Sequence, residues 1–215
     1  RGLGDVYKRQ GLYAAGDAAC SGLNGAGALP GNRLLDALSG GSSAGYHASD
    51  WVKKQSFSNT EKLLQSLALC EANLSAKFSE EAPDTVRRIG ALEARLHNIA
   101  TKFTSSPNSS ADLGKFLQEL EQAELSAESI HLDQESLIAN TNYADLLRIQ
   151  AGIRLLSASV RSSLARNESR GVHQRSDFAE ENSELLHHIT VDIDANVGTL
   201  AIRKGQKDNW ILAPQ

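Results

Sequence analysis

Apolar residues recur along most of this chain at intervals of three and four, the spacing that lines one face of an α-helix. In residues 61 to about 78 the stripe is Leu63, Leu64, Leu67, Leu69, Leu74 and Phe78. Residues 85 to about 103 place Val86, Ile89, Leu92, Leu96 and Ile99 on one face, and residues 111–126 do the same with Leu113, Phe116, Leu117 and Leu120. The longest pattern, about residues 143–167, carries Leu146, Leu147, Ile149, Ile153, Leu155, Leu156, Val160 and Leu164. No helix buries such a stripe alone, so the four together predict a helical bundle. Between them lie polar connections at 56–60, at 79–84 with its acidic residues and Pro83, and at 104–110, the last read as a linker. Near the end the period drops to two. Residues 189–193 and 199–203 alternate around 194–198, which predicts a β-hairpin.

Ahead of the bundle the pattern is different. Gly11-Leu12-Tyr13-Ala14-Ala15 is a short apolar run of the kind that forms a buried strand, and Gly16-Asp17 ends it at a turn. In open α/β sheets ligands bind at the carboxyl ends of strands, where an acid such as Asp17 accepts hydrogen bonds from sugar or ring polar groups. Glycines at 22, 25 and 27 make a loop whose backbone allows close approach of a flat ligand. Pro30-Gly31-Asn32 then breaks the chain, and Arg33-Leu34-Leu35-Asp36-Ala37-Leu38 starts a helix with Asn32 as its N-cap. The free amides and dipole of such a helix start stabilise negative charge. The helix is expected to continue towards Trp51 and Lys54 through Gly40, Gly41 and Gly45, each costing about 1 kcal/mol against alanine. Close packing against a cofactor or another backbone accounts for them; a break at the Gly-Gly pair is the alternative.

The segment 11–45 resembles the flavin-binding segment of the succinate dehydrogenase and fumarate reductase flavoprotein family, which also contains L-aspartate oxidase. The family pattern runs Gly-Leu-Tyr-Ala-Ala-Gly-Glu, then His-Gly-Ala-Asn-Arg-Leu, then Asn-Ser-Leu-Leu-Glu. A second match, Arg166-Asn167-Glu168-Ser169-Arg170-Gly171-Val172-His173-Gln174-Arg175-Ser176-Asp177, is similar to the family's Arg-Lys-Glu-Ser-Arg-Gly-Ala-His-x-Arg-x-Asp. Two motifs in the family's order, separated by helical sequence, are more specific than either alone. The resemblance spans about residues 11–203 and only the last part of a family protein. It implies an α/β remnant of an FAD-binding domain followed by a mainly α C-terminal helical bundle with a terminal β-hairpin. The expected division is 11–54 for the end of the FAD-binding domain, 55–170 for the bundle and 171–215 for a tail with the hairpin.

Composition narrows the alternatives. A net charge of −4 over 215 residues and an isoelectric point near 5.9 lack the basic face that nucleic-acid binding requires. The two cysteines, Cys20 and Cys70, form no CxxC pair and fit a reducing compartment without a disulfide framework. No apolar run approaches the roughly 18 residues of a membrane span. The expected location is cytoplasmic, or peripheral to a membrane through partner subunits. The chain has no methionine and opens on Arg1, and no GxGxxG strand-turn-helix unit for a dinucleotide pyrophosphate is visible. It therefore reads as a fragment, inactive alone, with residues 1–10 a cloning or assembly scar or else a divergent loop.

By resemblance, Asp17 takes the place of the family's flavin-contacting carboxylate, and Asn32, Arg33 and Leu34 the place of its Asn-Ser-Leu step. An arginine near the flavin's N1/O2 edge would stabilise the anionic reduced ring. The family's dicarboxylate clamp is missing from its usual place: aligned without gaps, its arginine falls on Ala28 and its histidine on Asn24, leaving Arg33 as the substrate-binding candidate. The resemblance implies an FAD-dependent oxidoreductase passing hydride between a small carboxylate and flavin N5, with electrons leaving through an iron-sulfur subunit. An L-aspartate oxidase and a non-catalytic helical interaction module remain alternatives. Arg170 and His173 are read as structural, bracing the bundle; Cys20 as packing; and His187-His188, which lacks a third ligand at metal spacing, as surface.

Overall fold

The computed structural model describes residues 11–56, 60–78, 85–105, 107–133, 136, 138–191, 197–200, 203–204 and 209–210. They fall into two compact units that divide between Leu63 and Leu64. The expected scar at 1–10, most of the connection at 56–60 and the acidic stretch at 79–84 lie outside the described residues.

In the first unit, helix α1 (Asn32–Val52) runs unbroken through its glycines. Gly40 faces Ala15, and a methyl group placed on it would lie 3.5 Å from the Ala15 Cβ, whereas Gly41 and Gly45 face open space. The strand expected at 11–15 does not form. Ala15 is extended (φ −142°, ψ 162°), but the run has no ladder partner among the described residues, and Leu12 is 72% exposed. Without a neighbouring strand its contacts are with α1: Gly11 lies over the Trp51 ring and the Tyr13 hydroxyl donates to the His47 carbonyl at 3.3 Å. Asp17 consequently sits in a one-turn 3-10 helix, Gly16–Ala19, rather than at a strand's end. Gly16 opens that turn with a left-handed φ of 63° and packs on Ala37, so a side chain there is strained by the backbone and meets a tight contact of 3.2 Å. Asn32 is not the N-cap. Gly31, at φ 85°, occupies that position, and the Asn32 side chain instead donates to Asn24 Oδ1 at 3.1 Å, tying the loop to the helix start.

Helix α2 (Thr60–Ser75) spans the division between the units and buries none of its residues. Leu63, Leu64, Leu67 and Leu69 are all exposed. The bundle of the second unit is therefore built on three helices rather than four: α3 (Thr85–Ser105), α4 (Ser110–Glu128) and α5 (Thr141–Ala165), which pack pairwise. Their helical stripes meet in one core of Ile89, Leu92, Ile99, Leu113, Phe116, Leu120, Leu146, Ile149, Ile153 and Val160. Val86, Leu147 and Leu155 lie on the flanks of those stripes and remain exposed. Ile130 and Leu132, in the connection after α4, join the core without any periodicity to announce them. The starts of α4 and α5 are chemically marked. Ser109 and Asp112 form a capping box for α4, and Asn140 Oδ1 accepts from the Tyr143 amide at 2.9 Å to begin α5.

The predicted hairpin is present. Strands β1 (His188–Val191) and β2 (Val197–Leu200) pair antiparallel, with Ile189 opposite Thr199, and lie against α5. Its connection at 192–196 is outside the described residues. Two further short strands, β3 (Arg203–Lys204) and β4 (Asn209–Trp210), form a second antiparallel pair that the alternation does not predict.

Candidate functional site

In the first unit three of the four candidate cofactor residues lie at the start of α1, and Asp17 lies in the separate one-turn helix Gly16–Ala19. Asn32, Arg33 and Leu34 form the first turn of α1, which has no side-chain cap, so its leading amides are not bonded by a capping side chain. Asp17 and Arg33 are exposed. The loop in front of the helix is held by the Asn24–Asn32 bond and by Ser21 Oγ donating to Asp36 at 3.2 Å. Above the α-carbons of Gly25, Gly27 and Gly31 there is open space. In the same unit Leu12, Leu23, Leu29, Leu34, Leu35 and Leu38 are each 65% exposed or more. Asn24, where the family's substrate histidine aligns, is half-buried and engaged with Asn32, and Ala28 is exposed.

The second unit holds a built polar cluster in the segment 166–177, which leaves α5 as a non-helical turn. Gly171 (φ 57°) closes it, and Arg170 and His173 exchange backbone hydrogen bonds of 2.8 and 3.0 Å. Inside it, Glu168 is fully buried between two arginines. Its carboxylate accepts from Arg166 Nη1 at 2.6 Å, from Arg170 Nε and Nη2 at 3.1 and 2.9 Å, and from the Asn182 amide at 2.9 Å. Burial alone would raise this carboxyl's pKa, but the hydrogen bonds from Arg170, the Asn182 amide and Arg166 overcome it and lower it to about 2. Arg166 also donates to the Leu185 and His187 carbonyls, fastening the approach to β1.

A second ion pair, with its arginine buried and its carboxylate exposed, joins this segment to α4. The Arg175 guanidinium, 2% exposed as a residue, donates through Nε and Nη2 to Asp177 at 2.9 and 2.8 Å. Its Nη1 donates to the Ser163 and Arg166 carbonyls, satisfying groups left open at the end of α5. Asp177 in turn accepts from the Ser110 amide and hydroxyl at the start of α4, where a carboxylate complements the helix dipole. The Arg175 guanidinium and the Ser110 donors hold the Asp177 carboxyl far below the usual carboxylate range, against the opposing effect of burial. The stretch 104–110 is thus no slack linker. Asn108 is buried, its amide donates to the Gln174 carbonyl at 3.3 Å, and its carbonyl accepts from the Ser176 amide at 3.2 Å. Between this stretch and the turn lies a cleft of about 520 Å³, lined in part by Phe103, Asn108, Leu113, Ser163 and His173.

Glu168, Arg175, Asp177 and Ser110 were not singled out by sequence reasoning as a cluster. The signal available was the alternation of opposite charges two residues apart in a stretch with no helical period. His187 and His188 are half-buried rather than on the surface. Cys20 is exposed, not packed. Among the described residues no group of His, Cys, Asp and Glu is placed to hold a metal ion, and no helix is long and apolar enough to cross a membrane.

A glycine-rich loop and helix start followed by a helical bundle that is locked by a charged turn and a hairpin describe the end of a flavoprotein chain. Residues 87–209 match the family model described as fumarate reductase flavoprotein C-term, and the chain belongs to that family. It is 31% identical over 199 residues to the fumarate reductase flavoprotein subunit of Mycobacterium tuberculosis, covering 89% of this chain and 33% of that protein. It is 28% identical over 193 residues to the succinate dehydrogenase flavoprotein subunit of Rickettsia bellii, covering 86% of this chain and 30% of that protein. A solved structure of a variant of E. coli quinol fumarate reductase shares the fold, with a TM-score of 0.73 at 18% identity over 95% of this chain and 35% of that one. The chain spans about a third of the length of the relatives it matches. The resemblance seen in the two motifs and the mainly helical fold with its hairpin are borne out.

Proposed function

We propose that this chain is the C-terminal third of an FAD-dependent oxidoreductase that moves hydride between a small carboxylate and the flavin. The observation that carries the proposal is the start of α1. Its amides lack a side-chain cap, the glycine loop before it has open space over Gly25, Gly27 and Gly31, and Leu23 and Leu29 in the loop and Leu34 in the first turn are exposed. That combination fits a flat, partly apolar ring with one electron-rich edge. Asp17, Asn32, Arg33 and Leu34 are the residues that would hold FAD. Bound there, FAD supplies the hydride-accepting chemistry. The protein's own part is to orient the ring, shield its apolar surface with the leucines and stabilise negative charge at its edge through the α1 amides and Arg33. Arg33 is also the candidate for receiving the substrate carboxylate, since Ala28 has no charge to offer.

In this proposal residues 11–54 complete the FAD-binding domain, 55–170 form the bundle domain and 171–215 the tail. An iron-sulfur subunit receives the electrons, and the enzyme sits in the cytoplasm, peripheral to a membrane through its partners. The names of the relatives support it: one is a fumarate reductase flavoprotein subunit and another a succinate dehydrogenase flavoprotein subunit. The test is an assay of the full-length polypeptide for dye reduction with succinate and, separately, with L-aspartate. Turnover with succinate is expected. Turnover with aspartate alone replaces the substrate assignment with the oxidase, and turnover with neither removes both.

A further inference from the structure

The cleft beside the 170–177 turn contains a titratable group, His173, that faces two ion-paired arginines on one side and uncharged side chains on the other. His173 Nε2 lies 3.2 Å from the Arg166 carbonyl oxygen, and since a carbonyl only accepts, this nitrogen carries the proton. The same oxygen accepts from Arg175 Nη1 at 3.1 Å, so imidazole and guanidinium converge on one atom. The charged groups acting on His173 are the Arg166 and Arg175 cations and the Glu168 carboxylate. That carboxylate is already committed to Arg166, Arg170 and the Asn182 amide. From α3, α4, α5 and the 105–108 connection the cleft is lined by Phe103, Thr104, Ser105, Pro107, Asn108, Leu113 and Ser163, none of them ionisable.

We propose that His173 is an acid-sensitive latch: neutral, it closes the 170–177 turn onto the end of α5; protonated, it becomes a third cation beside Arg166 and Arg175 and loosens the turn's attachment to Asn108. The attachment at risk is the pair of backbone bonds joining Asn108 to Gln174 and Ser176. Burial pushes the ring below its ordinary value and the Arg166 and Arg175 charges add to it, outweighing the bond to the Arg166 carbonyl and the Glu168 carboxylate, which favour the charged form. The sign follows from linkage. Because the open turn binds the proton more readily than the closed one, the closed form loses stability as the pH falls below 6.5, and the loss levels off once it passes the closed form's own, lower value. Glu168 and Asp177 ionise too far below this window to contribute.

Hydrogen exchange of the chain, corrected for intrinsic rates, tests this between pH 7.5 and 5.5. The protection of the Asn108, His173 and Ser176 amides is expected to fall with a slope approaching tenfold per pH unit below 6.5. In His173→Gln, whose side-chain amide can donate to the Arg166 carbonyl but does not titrate, protection is expected to stay level. Flat protection in the unaltered chain overturns the proposal, as does an undiminished slope in the variant. Should the variant not fold, the ring resonances of His173 in the unaltered chain decide: a midpoint at or above 6.5 overturns it.

Discussion

Arg170 is shared between two carboxylates in different surroundings, and substituting each in turn tests how much the buried cluster contributes. Glu168 is wholly buried and accepts from both arginines and the Asn182 amide, whereas the Glu181 side chain, 2.9 Å from Arg170 Nη1, is 61% exposed. In Glu168→Gln the volume is kept, but the charge that holds Arg166 and Arg170 is gone, and an NH2 group faces donors that need acceptors. Breaking a buried pair by removing one charge costs about 3–5 kcal/mol, a large share of a total of about 5–15 kcal/mol. At about 2–4 °C per kcal/mol for a chain of this size, the melting temperature should fall by roughly 6–20 °C. Glu181→Gln removes an exposed pair and should cost less than about 1 kcal/mol. Urea unfolding of both variants, followed by circular dichroism, gives the two values. Equal losses, or a loss in Glu168→Gln below about 1 kcal/mol, would refute the view that this turn locks the bundle.

Other consequences follow from the same structure. Glu168 and Asp177 have folded pKa values below their ordinary 4.5 and 3.8, so each adds stability that is complete above those ordinary values and lost progressively as the pH falls from them through the lower folded values; acid titration of the urea midpoint should show a decline beginning near pH 4.5 that Asp177→Asn makes shallower. Leu120 is fully buried between the bundle helices, and Leu120→Ala should cost about 2–5 kcal/mol in the same unfolding assay. Gly16→Ala meets both a left-handed backbone and the Ala37 Cβ at 3.2 Å, so it should destabilise the turn at Asp17 by at least about 1–2 kcal/mol, read as faster amide exchange at Cys20.

The bundle was legible because its burial is periodic. Ile89, Leu92 and Ile99, or Ile149, Ile153 and Val160, can face one core only as helices. Ile130 and Leu132 escaped because they are placed by the path of a loop, which has no period. The fate of 11–15 was not legible either: an apolar run does not say whether a neighbouring strand exists, and here Leu12 is left exposed while Tyr13 bonds to α1. The stripe on α2 illustrates the same limit, since Leu63, Leu64 and Leu67 recur as a buried face would and yet are exposed. In the turn, identity without geometry hid the chemistry. Glu168 and Arg175 became informative once the chain was seen to fold back and bring Ser110, 65 residues from Arg175 in sequence, to 2.7 Å from its guanidinium.

The central claim is that the start of α1, with Asp17 and the loop before it, forms part of a flavin site. The visible absorbance spectrum of the full-length polypeptide, purified and then titrated with FAD, tests it most directly. The account predicts a yellow protein, or a colourless one that takes up one equivalent of FAD and loses that capacity when Gly31 and Leu34 are replaced by bulky charged residues. A full-length, folded protein that neither carries nor takes up FAD would contradict it.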